Sequence, residues 1–273
     1  ELCDCYADKE EGVLHILESV EEAGGSSASV WLLDGGLRSI QSARSEPLRA
    51  AAANWQALAT WAAGLENNED SLLVDIGSTT TDIIRLRENE VRCSGRSDTE
   101  RLRAGELVYT GVRRTPVCAI LEEADLNGVA SPLAAEHFAT TLDTWLLLDE
   151  ISEDPACLST ADGRPATRQL ARDRLARMLC LDPGELSKED ALELAEQVAR
   201  AQEDKICRAI GRLIELEKPA GAFISGEGEF LALRALRSLG LDDDRVTSMS
   251  RLYDSAASEA ACAFALARLA AEA

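Results

Sequence analysis

The run Leu72-Leu73-Val74-Asp75-Ile76-Gly77-Ser78-Thr79-Thr80-Thr81-Asp82-Ile83-Ile84-Arg85-Leu86 constrains this chain more than any other stretch. Residues 72–74 and 83–86 have the apolar, partly β-branched character of strands, and Gly77 allows a turn whose backbone another group can approach closely. Successive amides in such a turn point at one spot, where the hydroxyls of Ser78, Thr79, Thr80 and Thr81 add donors. The stretch reads as a phosphate-binding hairpin. Asp75, at the end of its strand, is placed to hold a hydrated Mg²⁺ rather than to touch phosphate itself. An ordinary hairpin with threonines on a solvent face is the competing reading. Asp-x-Gly followed by four consecutive hydroxyl residues is an unusual way to build a plain turn.

Composition narrows the classes. A chain of 273 residues with 46% hydrophobic residues can bury one large core or two moderate ones. The formal charge of −21 argues against sequence-independent nucleic-acid binding, which needs a basic footprint. No apolar run reaches the length of a membrane span, and Glu1-Leu2-Cys3-Asp4-Cys5 does not read as a signal peptide, so no membrane association and a cytoplasmic location are expected. Most of the eight cysteines sit singly in apolar or helical surroundings and read as reduced, small buried hydrophobes. Cys3-Asp4-Cys5 with His15 is a weak metal signal, since no second pair occurs at zinc-finger spacing.

Along the chain, residues 9–23 carry apolar positions at helical spacing and 30–33 form a short strand ending in the Asp34-Gly35-Gly36 turn. Residues 47–63 read as one alanine-rich helix bearing Asn54 and Trp55. Residues 102–116 are glycine-punctuated and fit neither helix nor strand. Helices are expected over 131–148, 166–179 and, from the cap signature Ser187-Lys188-Glu189-Asp190, from there to about residue 216. A strand over 222–225 leads into a helix over 230–239, a last strand covers 246–249, and a helix closes the chain over 258–271. The joint Ser225-Gly226-Glu227-Gly228 passes from strand to helix with no large side chain, and can cradle a nucleotide or second anion at the helix N-terminus. Tight packing alone explains such a joint about equally well.

The phosphate hairpin followed, a long helix later, by this joint resembles the actin-like superfamily of acetate and sugar kinases, Hsp70 and actin, and the details of residues 74–83 resemble its hydantoinase/oxoprolinase branch. Glu1-Leu2-Cys3-Asp4-Cys5, Asn54-Trp55, the run Glu106-Leu107-Val108-Tyr109-Thr110-Gly111-Val112-Arg113-Arg114-Thr115-Pro116 and Ala161-Asp162-Gly163-Arg164-Pro165-Ala166-Thr167 together are similar to proteins linked to tetrahydromethanopterin-dependent one-carbon transfer. The resemblance implies an α/β, actin-like ATPase (ribonuclease H-like) two-lobe fold. Residues 1–68 would be the remainder of a first lobe, whose own phosphate hairpin would precede Glu1. Residues 69–273 would be a second lobe with a helical insertion at about 131–216, and the C-terminal helix would pack on the first lobe.

For activity, the resemblance implies a transferase of methanofuran biosynthesis. It would condense an aminomethylfuran-methyl diphosphate with the phenol of tyramine or γ-glutamyltyramine and release pyrophosphate. A furfuryl carbon bearing diphosphate ionises once its leaving group is neutralised, so cations and N–H donors matter more than a nucleophile. Asp75 with Mg²⁺, the backbone of residues 77–81, and Arg113 with Arg114 are the natural clamp. Asp82 or Asp143 would accept the phenol proton, and Asn54, Trp55, Tyr109, Thr110 and Arg164 would line the substrate. Two other readings stay open here: an ATP-dependent kinase or oxoprolinase-type amidohydrolase, for which nucleotide would be a cofactor, and a non-catalytic actin-like binding module. The partners expected are small molecules, and a homodimer is compatible with the sequence.

Overall fold

The computed structural model describes residues 5–25, 27–65, 70–215 and 217–272. Cys3 and Asp4 lie outside them. Asp8 caps α1 (Lys9–Glu22) by accepting from the Glu11 amide at 2.9 Å, and Val13 and Leu17 bury one face of the helix. That face meets an antiparallel ribbon, β1 (Ser29–Trp31) with β2 (Leu37–Ser39), and α2 (Ile40–Ser45) in a small core that includes Leu32, Ile40 and Ala43. The expected helix over 47–63 is two helices, α3 (Pro47–Ala50) and α4 (Asn54–Ala63). They part where Ala52 takes a left-handed φ of 49°. The break serves two cores: Ala50 and Ala51 face the small one, and Trp55, Leu58 and Trp61 the main sheet.

The sheet grows from β3 (Asp70–Ile76), β4 (Thr81–Arg87) and β5 (Glu90–Arg92), an antiparallel meander. After α5 (Asp98–Ala104), which opens with a reciprocal Ser97/Glu100 cap, β6 (Leu107–Val108) pairs with the opposite end of β4. A separate ribbon, β7 (Glu123–Leu126) and β8 (Val129–Pro132), precedes α6 (Thr141–Leu147), α7 (Arg168–Met178) and the long α8 (Lys188–Ile214). The helix expected over 131–148 is thus only its last third. Thr140 caps α6, and the seven residues before it are irregular. The chain finishes with β9 (Gly221–Ser225), α9 (Glu229–Ser238), β10 (Val246–Ser248), α10 (Met249–Leu252), α11 (Ser255–Glu259) and α12 (Ala261–Glu272).

Strands β9 and β10 add to β3 in parallel, giving the order β10-β9-β3-β4-β5. An antiparallel meander extended by two parallel crossover strands is the strand arrangement that the resemblance to the actin-like, ribonuclease H-like fold implies. Leu72, Val74 and Ile76 point to the face covered by α6, α8 and α9, and Leu73 to the face covered by α4 and α12. Both faces are buried, so the strands read as near-continuous apolar runs. The two-residue alternation then sends Asp75, next to last in its strand, to the α4/α12 face.

Candidate active site

The turn between β3 and β4 is closed by the Gly77 amide donating to Thr80 O at 3.0 Å. Among the described residues, the amides of Ser78, Thr79 and Thr80 meet no protein acceptor. With the hydroxyls of Ser78 and Thr79 only 3.3 Å apart, the tip presents a concentrated set of donors. Thr81 is different from the expectation. Its side chain is fully buried and its hydroxyl donates to Thr110 O at 2.8 Å, because the alternation along β4 turns it toward the core shared with Ile83.

Two loops lock onto this tip. In the first, the amides of Val112, Arg113 and Arg114 donate to Gly77 O and Ser78 O at 3.0, 3.1 and 2.9 Å. A Cβ at Gly111 would sit 2.5 Å from Gly77 O and collide with the Thr79 amide, so only glycine lets the loop lie flat on the hairpin. In the second, Gly226, with φ +89°, brings the joint after β9 against Ile76 O, and a Cβ at Gly228 would meet Ile76 Cγ2 at 2.5 Å. The amides of Gly226, Gly228 and Glu229 all donate inside the protein, to Ser258 O, Ile76 O and Gly226 O. The sequence expectation of a second-anion or nucleotide cradle from Ser225, Gly226, Glu227 and Gly228 therefore meets a joint whose amides are largely occupied. We expect Gly111→Ala to destabilise the protein by about 1–3 kcal/mol through the forced shift of backbone, and to abolish pyrophosphate binding. Denaturant unfolding together with calorimetry checks both effects, and an Ala variant of wild-type stability would refute the close contact.

Asp75 and Asp82 face each other directly across the hairpin. Asp82 is paired with the fully buried Arg101 at 2.7 Å, and that guanidinium lies 3.9 Å above the Trp55 ring. Burial nonetheless pushes Asp82 upward, with Arg101 opposing. Among the described residues, Asp75 has no such cation. It accepts from Ser225 Oγ at 2.6 Å, and burial, with the Asp82 charge opposite, pushes its carboxyl up to about 7. Asn54 donates toward Cys262 Sγ at 3.6 Å, and Cys262 feels both carboxylates. Asn54 and Trp55 are thereby brought beside the carboxylate pair, Trp55 from below.

Arg113 and Arg114 reach the tip through their backbone amides. The Arg113 side chain forks onto Glu227, and Arg114 is exposed with no ion-pair partner among the described residues. Tyr109 is an exposed aromatic two residues before Gly111. Thr110, expected at the substrate, is fully buried and holds the loop. Asp143 is also fully buried. Its Oδ2 accepts the Thr140 amide at 2.9 Å and its Oδ1 binds Arg174 at 2.7 Å, which braces α6 rather than presenting a base to a substrate. Arg164 sits in another cluster, donating to Asp162 at 2.7 Å. Although burial alone would raise Asp162, Arg164 and Arg177 hold it well below its ordinary value.

Two residues that the sequence reading passed over hold the site together. Gln202 of α8, fully buried, donates to Thr110 Oγ1 at 2.9 Å and Gly111 O at 2.8 Å and accepts from Trp145 Nε1 at 3.0 Å. Glu229 accepts from Ser248, from Ser250 through both amide and hydroxyl, and from Ser258, fixing the start of α9. The signal for Gln202 was present: Leu194, Val198, Ile206 and Ile210 recur at four-residue intervals, and Gln202 is the polar member of that stripe.

The family model described as hydantoinase/oxoprolinase matches residues 1–273. The chain belongs to the hydantoinase/oxoprolinase family. A protein of Methanocaldococcus jannaschii is 32% identical over 270 residues, 98% of this chain and 79% of its own, and one of Methanococcus vannielii is 31% identical over 172 residues, 63% of this chain and 77% of its own. Both are named (4-{4-[2-(gamma-L-glutamylamino)ethyl]phenoxymethyl}furan-2-yl)methanamine synthase. Among solved structures, the chain is similar to a putative N-acetylmannosamine kinase of Listeria monocytogenes, with a TM-score of 0.33 at 16% identity, covering 78% of this chain and 64% of that one. It is also similar to a ROK family glucokinase of Streptomyces griseus, with a TM-score of 0.39 at 15% identity, covering 88% and 74%. Likeness at that level adds nothing to the assignment. Among the described residues, no helix is long and apolar enough to cross a membrane, and no cluster of three or more His, Cys, Asp or Glu side chains is arranged to hold a metal.

Proposed function

We propose that this chain is an ether-forming transferase of methanofuran biosynthesis, joining an aminomethylfuran-methyl diphosphate to the phenol of γ-glutamyltyramine. The observation that carries it is the hairpin tip, where three amides without a partner among the described residues and adjacent hydroxyls stand beside Arg113 and Arg114 in a chain 32% identical to a synthase of such an ether. In the reaction the bond between the furfuryl carbon and the diphosphate oxygen breaks, its electron pair leaving on pyrophosphate. The phenol oxygen bonds to that carbon, and its proton is released. Amides of residues 78–80 donate to the phosphate oxygens, and the arginines balance the charge that builds on them. Tyr109 at the rim is placed to flank the acceptor ring. Asp82 and Asp143 are tied to buried arginines, so the departing diphosphate is assigned the phenol proton.

The residues present fit one divalent cation. Asp75 is buried with a hydroxyl but, among the described residues, no counter-charge of its own, and Mg²⁺ characteristically binds through one or two carboxylates, waters and substrate phosphate. Bound there, Mg²⁺ would neutralise diphosphate charge. The kinase, amidohydrolase and binding-module readings are less well supported, since both curated relatives are named as synthases. A cytoplasmic location accompanies the proposed reading, and a homodimer is open to measurement of solution mass. Incubation with the furfuryl diphosphate and γ-glutamyltyramine is expected to yield ether and pyrophosphate in equal amounts, followed by mass spectrometry and a pyrophosphate assay. Phosphate release from ATP without ether would overturn the proposal.

A further inference from the structure

Arg113 is the natural cation for a diphosphate at the hairpin tip, yet its Nε/Nη2 edge is already taken. Its Nε lies 2.7 and 2.6 Å from the two carboxylate oxygens of Glu227, and Nη2 pairs with the same group. Both side chains are partly exposed, 33% for Arg113 and 20% for Glu227. Their backbones are anchored independently of this pair. The Arg113 amide is on Ser78 O at 3.1 Å, and Glu227 lies between Gly226 and Gly228, whose amides are on Ser258 O and Ile76 O at 3.1 and 2.9 Å. Only the side chains are free to change partners. A carboxylate bound on the Nε/Nη2 edge of a guanidinium occupies the same donors that a phosphate takes. The other ionisable groups that act on Arg113 are Cys157 and Glu259.

We propose that Glu227 is a resident anion that latches Arg113 in the free protein and yields it to a phosphate of the incoming diphosphate. The inference rests on the reading of this site as one for diphosphate. The latch keeps the guanidinium aimed across the mouth of the site before the ligand arrives. It also competes with the product, so its return to Arg113 helps pyrophosphate leave.

The test is calorimetric titration with inorganic pyrophosphate and Mg²⁺ on wild type, Glu227→Gln, Arg113→Ala and the double variant. Glutamine keeps the shape and removes the charge, and thermal melts verify that each variant is folded. Glu227→Gln is expected to bind pyrophosphate about tenfold more tightly, of the order of one strong charge-assisted contact. In the Arg113→Ala background the same change is expected to bring no gain. Unchanged or weaker binding by Glu227→Gln overturns the latch, as does a gain of equal size without Arg113, which would be a general charge effect. Wild-type turnover is measured alongside. Turnover with no tightening in Glu227→Gln defeats the latch and leaves the synthase standing. Tightening that requires Arg113, in a protein that forms no ether, does the reverse.

Discussion

Replacing Arg113 by alanine is expected to lower kcat by about 10²–10³, the usual cost of losing one preorganised contact to developing charge, while KM changes much less. The reason lies in when the charge appears. Diphosphate bound to carbon carries less charge on its bridging oxygen than diphosphate that has departed, so the guanidinium is worth more in the transition state than in the ground state. Arg113 is held at the hairpin by its own amide on Ser78 O, so truncating its side chain leaves the loop in place. Arg114, exposed and without an ion partner among the described residues, is expected to matter less. Steady-state kinetics on both single variants decides. Wild-type values in both would show that the arginine pair takes no part.

The second large effect belongs to Asp75. Its carboxyl is raised to about 7 in the folded protein, chiefly by burial, against an ordinary value near 3.9 in the unfolded chain. Between those values the folded state holds a proton that the unfolded state has lost, so stability falls as pH rises through this window. Asp75→Asn removes that penalty. In metal-free buffer the variant is expected to be more stable than wild type by roughly 2–4 kcal/mol at pH 8, with little difference at pH 4. Mg²⁺ should stabilise wild type at pH 8 and leave the variant unmoved, because the carboxylate must be deprotonated to hold a cation. Urea unfolding at the two pH values, with and without Mg²⁺, measures all four quantities. An equal difference between variant and wild type at pH 4 and pH 8 would mean that Asp75 ionises normally.

What was legible in the sequence was local. The hairpin announced itself because Asp75, Gly77 and the hydroxyls are neighbours in the chain, and the strand-to-helix joint did so because Gly226 and Gly228 flank a single residue. Pairing across distance was not legible. Nothing near Arg113 in sequence points to Glu227, which lies 114 residues away, or shows that Asp82 has Arg101 beneath it. The inward turn of Thr81 follows from its sharing a face with Ile83, a parity that depends on register across the hairpin. The ribbon β7–β8 was signalled by Asn127-Gly128, a hairpin turn pair masked by the helical reading of residues 131–148. Asp143 looked like a free acid because helix caps and buried ion pairs use the same side chain as catalysis.

At the three glycines of the mouth a Cβ would collide with neighbours, with hairpin backbone at Gly111 and Gly226 and with the buried Ile76 and Val112 side chains at Gly228. For protein engineering this divides the site into a frame and a palette. Attempts to reshape specificity by enlarging any of the three would move the hairpin itself, so libraries directed there would return mostly misfolded clones. Useful variation lies in Tyr109, an exposed side chain on the same loop, whose substitution can alter the size of an accepted phenol without touching the groups that hold the phosphates.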